Sequence, residues 1–473
     1  MSSYYPIEFL GIFVVFYVTY KLKLQKYIIS FLFKDQVVYL PLTDDDFNQL
    51  MKLKQEYKDN KKETKVLIRS CQFTEYSEKS QSAKYLDFDF LIFLYLCNFV
   101  ITLGNVIYQI LRLAILGKEK SPFLINEKGN NNTTPTIENL NFNLYLTISF
   151  IIYIIYRELK KYIFSHGFTS KAAIRFYICF LLSFCLFYLN EFFNEKLFNL
   201  NYDSACTIFN NRVDLILSQA KADFSFNIEK KHMKIIFSII FGLISGIFLR
   251  ATERGAYFDN FFCNFYKPFD SSLANLRSYQ SEGDQKKNHS ALEYIAKIKS
   301  ITNLIITVIF LEPLLDHFLE VININALLNK IIIIFLALLT DFILGFYILW
   351  YAYFIFSVQN YQEIMKFVKN PNSKYLNSHK SLVNYINENA WDICSHVFMN
   401  SFLPFYLFLV YSNQINIFSN ISKIKENNSA FNNGFIDNIL FIIFLALVFS
   451  KGIIENAIFY YRLIIKEKHL KIF

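Results

Sequence analysis

The sequence predicts an all-α fold, a polytopic membrane helix bundle of about nine transmembrane helices forming a single membrane domain over 1–473. Three observations predict it: an apolar composition, apolar runs of bilayer length, and a lopsided distribution of Lys and Arg. The chain is 54% hydrophobic and 19% aromatic, too apolar for one soluble core of its length, so the excess must face lipid. Its 54 Phe and 32 Tyr match what an A- and T-rich genome would encode, so the aromatics carry no functional weight.

The first apolar run, Ile7 to Tyr20, is a short helix or signal anchor. Pro6 suits its first turn, Lys21 and Lys23 can snorkel at its far end, and no basic leader or small-residue cleavage site marks it for removal. Runs able to cross about 30 Å of hydrocarbon follow. They are Phe90 to Leu111, Phe142 to Phe164, Ala172 to Leu189, Met233 to Leu249, Ile301 to Phe318, Ile331 to Phe356, Trp391 to Tyr411 and Phe435 to Tyr461.

Orientation comes from the connecting segments. Segments 21–89, 157–175, 250–299, 358–390 and 462–473 hold 34 Lys and Arg, against 13 in the alternate segments 112–142, 191–234, 321–330 and 412–434. The positive-inside rule then places the N-terminus outside and the C-terminus in the cytosol, a parity that fits nine crossings. Of the Asn-x-Ser/Thr sequons, Asn131, Asn132, Asn420 and Asn427 fall in outer segments, including the 412–434 outer loop, and Asn288 falls in the 250–299 cytosolic loop. A glycoprotein of the secretory pathway or plasma membrane is the expected setting. The 21–89 segment reads as a cytosolic amphipathic and charged loop, with Thr43 or Asp44 capping a short helix at the membrane surface.

The net charge of +9 borders apolar runs, which points to anionic headgroups of the lipid bilayer and to no nucleic acid. Seven cysteines show no C-x-x-C spacing, and only Cys206 falls outside, so zinc and a disulfide framework are not expected. No Walker, Rossmann or haem-attachment pattern occurs, so no cofactor and no ATP-driven pump are expected.

Several anchors resemble the transmembrane protein 161 family along nearly the whole chain. They are Leu42-Thr43-Asp44-Asp45-Asp46 after the first span, Asn190-Glu191 and Asp203-Ser204-Ala205 after the fourth, Gly242 to Gly246 in the fifth, and Asn400 with Pro404 in the eighth. Glu312-Pro313 stands where the family tends to have Lys-Pro, and family arginines of the seventh span are apolar or aromatic here. The resemblance implies a multi-pass protein linked to cell excitability and stress survival, with no catalytic residues to carry over.

Gly242-Leu243-Ile244-Ser245-Gly246 is similar to the Gly-x-Ser-Gly of intramembrane serine proteases, but the first glycine is one residue too far away. The same residues form a G-x-x-x-G, which predicts close helix packing through Gly242, Ser245 and Gly246. Ionisable groups inside spans are costly, and here they are Asp341, Lys451, Glu455, Glu312, Asp316, His317 and His396; Asn400 shares a face with His396 in the eighth span, and Asn98 and Asn105 lie seven residues apart in the second. They act either as interhelical glue or as the lining of a hydrated path. Asp341 and Lys451 are expected partners, although helical rise puts them at depths roughly 9 Å apart, a gap that an outstretched lysine must close. A non-enzymatic scaffold or regulator of other membrane proteins ranks first. A small-solute, proton or ion transporter using Asp341, Glu312, His396 and Lys451 ranks second, and a membrane-embedded enzyme third.

Overall fold

The structure, a computed structural model, describes residues 5–33, 37–40, 48, 52, 69–72, 83–116, 142–160, 171–189, 197–198, 200–219, 227–264, 282–315, 327–350, 379–414 and 435–465. Among these residues everything but one short strand pair and a few turns is helical. Helix α1 runs Tyr5–Leu22 and is apolar all round. It ends because Lys23 takes a left-handed φ of 49°, and α2, Leu24–Phe33, sets off in a new direction. Gln25, Ile29 and Leu32 give α2 one buried face, which packs on α3 and α9, while Tyr27 and Phe31 stay exposed. Strands β1, Val37–Leu40, and β2, Arg69–Gln72, pair antiparallel with Val37 opposite Gln72 and Leu40 opposite Arg69. Within the 21–89 segment the described residues thus include helix α2 and this strand pair. Pro41 to Asp46, with the expected cap, lies outside the described residues.

The longer helices are α3 (Ala83–Leu116), α4 (Phe142–Leu159), α5 (Lys171–Leu189), α6 (Tyr202–Gln219), α7 (Lys230–Asn264), α8 (Glu282–Leu315), α9 (Leu327–Trp350) and α10 (His379–Gln414). The last is α11 (Phe435–Phe449), which passes through a π-helical turn, Ser450–Glu455, into α12 (Asn456–Ile465). Six described helical stretches are long and apolar enough to cross a membrane: Ala83–Ile107, Lys230–Ala256, Tyr294–Glu312, Asn329–Leu349, Trp391–Tyr411 and Asn438–Tyr461. This is the construction of a multi-pass membrane protein.

Two regions depart from expectation. Residues 250–264 and 282–299, read as part of a cytosolic loop, continue α7 and α8. Arg250 and Glu253 there find ionic partners on neighbouring helices, so polarity does not end the helix. Helix α6 lies between α5 and α7. Its start is capped by Asn201 Oδ1, which accepts from Ser204 N at 3.1 Å. Asn210 holds it to the entry of α7 by accepting from Ile228 N at 2.8 Å and donating to Ile228 O at 3.1 Å.

Helix α10 is the hub. Every residue from Trp391 to Tyr411 is buried, with α3, α7, α9 and α11 packed around it. Aromatic edges fill the seams, as where Tyr95 of α3 meets Phe398 at 4.7 Å and Phe342 of α9 meets Phe405 at 4.6 Å. Leu181, Leu182, Ile332 and Leu336 point outward, as lipid-facing side chains should.

Helices α5 and α7 meet through the small residues. A Cβ on Gly242 would lie 2.9 Å from the Phe180 carbonyl oxygen, and one on Gly246 would lie 2.9 Å from Phe176 Cε2. Ser245 is fully buried beside them and its carbonyl accepts a weak hydrogen bond from Cys179 Sγ at 3.7 Å. Glycine is needed here because two backbones approach with an aromatic ring between them.

Candidate functional site

The buried charges of the helix bundle fall into three sets. In the first, Lys451 Nζ lies 2.6 Å from Asp341 Oδ2 and 3.8 Å from Glu455 Oε2. Glu455 Oε1 lies 3.3 Å from Lys299 Nζ, which in turn lies 3.4 Å from Asp259 Oδ1. The order Asp259, Lys299, Glu455, Lys451, Asp341 is an unbroken chain of alternating sign drawn from α7, α8, the π-turn and α9. All five side chains are at most 3% exposed. Asn400 of α10 adds an amide hydrogen bond to Glu455 Oε2 at 3.1 Å.

Backbone chemistry explains why this lysine sits here. Pro404 has no N–H, so the carbonyl of Asn400, four residues earlier in α10, loses its helical donor. Lys451 Nζ supplies one, at 3.0 Å from Asn400 O. The π-turn repeats the device: the Gly452 carbonyl accepts from the Thr307 hydroxyl of α8, which itself accepts from Asn456 Nδ2 at 2.8 Å. Two glycines make the approach possible. A Cβ on Gly255 would collide with the Asn400 amide and lie 2.8 Å from Glu455 Oε1, and one on Gly452 would collide with Ile306.

Helix α9 also begins earlier than the sequence suggests. From Leu327 and Phe435, Asp341 and Lys451 are 14 and 16 residues in, a difference of 2. The depth gap therefore shrinks to about 3 Å, within easy reach of a lysine.

The second set joins α8 to α9. Lys330 Nζ is 2.9 Å from Glu312 Oε2 and donates to the Leu197 carbonyl at 3.5 Å. Asp316 and His317, expected beside Glu312, lie outside the described residues, as do Asn131, Asn132, Asn420 and Asn427.

The third set ties α3, α4, α7 and α10 together. His396 Nε2 is 3.3 Å from Asp392 Oδ2, which also meets Arg250 at 3.4 Å, while Asp392 Oδ1 is 3.9 Å from Lys84. Arg157 reaches Asp87 at 3.3 Å and Glu158 at 3.2 Å, and donates to the Ser395 hydroxyl. Asn98 of α3 turns back to its own helix, donating to the Leu94 carbonyl at 2.8 Å.

Asp341, Lys451, Glu455 and Asn400 thus converge, and Glu312 and His396 stand apart from them. Sequence reading missed Asp259 and Lys299, because both lie outside the apolar windows and were counted with a basic loop. The signal that could have found them is the odd charge of Asp341, Lys451 and Glu455, which asks for a further cation. Outside the six apolar stretches, burial pushes the Cys206 thiol of α6 up from its ordinary value, with Asp203 adding to the rise and Lys230 opposing it. Comparison of the chain with models of known protein families, with curated proteins and with solved structures gave no match.

Proposed function

We propose that this is a multi-pass membrane protein of the transmembrane protein 161 type, with about nine spans, its N-terminus outside and its C-terminus cytosolic. It acts as a non-enzymatic scaffold or regulator of other membrane proteins in the secretory pathway or plasma membrane. One observation carries the reading: Asp341 and Glu312 each pair with a lysine of another helix in separate sets, and His396 lies in a third set beside Asp392 of its own helix. A transporter would gather them around one cavity near mid-membrane. Groups locked in interhelical pairs instead set helix register and hold a rigid outer surface for partners.

A proton or ion transporter is the second reading, favoured by the five-membered chain, whose three carboxylates outnumber its two ammonium groups. Flux into sealed proteoliposomes, together with cross-linking in native membranes, separates the two. The scaffold reading expects no proton, sodium or potassium flux above empty vesicles, and reproducible cross-links to other integral membrane proteins. Saturable flux that Asp341→Asn abolishes while folded yield is kept would overturn it.

A further inference from the structure

We propose that the chain Asp259–Lys299–Glu455–Lys451–Asp341 is a proton-binding site, which takes up one proton at Asp259 and thereby becomes electrically neutral. The charge count comes first. Among the described side chains of this chain of charges, three carboxylates face two ammonium groups, none of the five is more than 3% exposed, and one negative charge is left over. The least disruptive remedy is one proton on one carboxylate.

Geometry decides which carboxylate. Protonating Glu455, in the middle, would leave Lys299 and Lys451 facing each other across a neutral acid. Protonating either end instead keeps the ionised Glu455 between the two lysines. Of the two ends, Asp341 is the more tightly held, 2.6 Å from a lysine, whereas Asp259 is 3.4 Å from a lysine that also serves Glu455. Coulomb attraction therefore protects the ionised form of Asp341 better.

The surroundings of Asp259 support the assignment. It sits one turn past the apolar stretch of α7 that ends at Ala256. Facing it are Lys299 of α8, Glu455 and Lys451 of the π-turn, and Asp341 of α9. From the other packed elements, α10 presents the neutral Asn400 amide to Glu455, α12 presents the neutral Asn456 to Thr307, and Arg175 of α5 is taken by Glu253. Arg157 and Glu158 of α4 pair within the third set. Burial pushes the Asp259 carboxyl up to about 7, against the pull of Lys299 and with Glu455 adding to the rise. The proton therefore comes and goes near neutral pH. The site is independent of both functional readings above, since a bound proton need not cross the membrane.

Infrared difference spectroscopy on the full-length protein in lipid nanodiscs, titrated from about pH 5 to about pH 9, reads the site directly. The expected result is the loss of one carboxylic-acid C=O band per chain as pH rises through about 7. Asp259→Asn, which copies the protonated acid in shape and charge, should fold and lack the band. Asp341→Asn, which balances the cluster, should move it to lower pH. An unchanged band in Asp259→Asn, a wild-type spectrum without such a loss, or a midpoint that follows sodium concentration would each overturn the proposal.

Discussion

Replacing Lys451 with Met strands more than one partner. Asp341 loses the lysine paired with it at 2.6 Å, and the Asn400 carbonyl loses the donor that replaces the missing Pro404 N–H. Removing one member of a buried ion pair costs about 3–5 kcal/mol, and an unsatisfied buried carbonyl adds about 1–3 kcal/mol. The charge of the cluster also moves further from balance, to three carboxylates against Lys299 alone. Asp341→Asn is milder. It leaves Lys299 and Lys451 matched by Asp259 and Glu455, and the new amide oxygen still accepts from Lys451, so about 2 kcal/mol is expected. The double substitution should recover about 2–3 kcal/mol of the summed loss, because with Asp341→Asn no ionised carboxylate is left stranded beside the methionine. Adding Pro404→Ala to Lys451→Met tests the carbonyl part: the restored N–H should return about 1 kcal/mol. Denaturant unfolding in mild detergent micelles, with folded fraction read by size-exclusion chromatography, gives these numbers. If the double substitution equals the sum of the singles within about 0.5 kcal/mol, the pairing argument is wrong. If Asp341→Asn costs more than Lys451→Met, the charge count is wrong.

Leucine at Gly246 must displace the Phe176 ring, whose Cε2 would stand 2.9 Å from the new Cβ, so folded yield should fall with a loss of about 1–3 kcal/mol. Alanine at Gly255 should behave similarly by pushing Asn400 off Glu455, whereas alanine at Gly104, with nothing within 4 Å, should be tolerated in the same yield assay. For the pH dependence, the folded Asp259 holds its proton up to about 7 while the unfolded chain releases it near 3.8, so stability should decline as pH rises between those values and then level off. The slope is at most about 1.4 kcal/mol per pH unit and should vanish in the difference between wild type and Asp259→Asn. Glycosidase-sensitive mass should disappear when Asn131, Asn132, Asn420 and Asn427 are replaced together and survive replacement of Asn288. Glycan on Asn288 alone would reverse the proposed topology.

What the sequence by itself determined is the class of molecule. Apolar runs such as Trp391 to Tyr411 can satisfy their backbone in lipid only as helices, so length and hydropathy alone announce them. The packing role expected of Gly242 and Gly246 is likewise a local property, since small side chains four residues apart leave a groove on any helix. Asp341, Lys451 and Glu455 also stand out from the sequence, because charges within apolar runs are rare. The tertiary structure alone decided how those charges are neutralised. Asp259 and Lys299 look like ordinary polar residues of a loop until α7 and α8 continue through them and set Lys299 between Asp259 and Glu455. Pro404 looks like a helix irregularity until Lys451, 47 positions later in the chain, supplies the hydrogen bond that it removes. Gly255 and Gly452 look unremarkable until neighbouring helices press on them. The physical reason is one of range. Burial of a backbone in lipid is set by each segment's own side chains, whereas the free energy of a buried charge depends on groups a few ångströms away that the chain brings together only on folding.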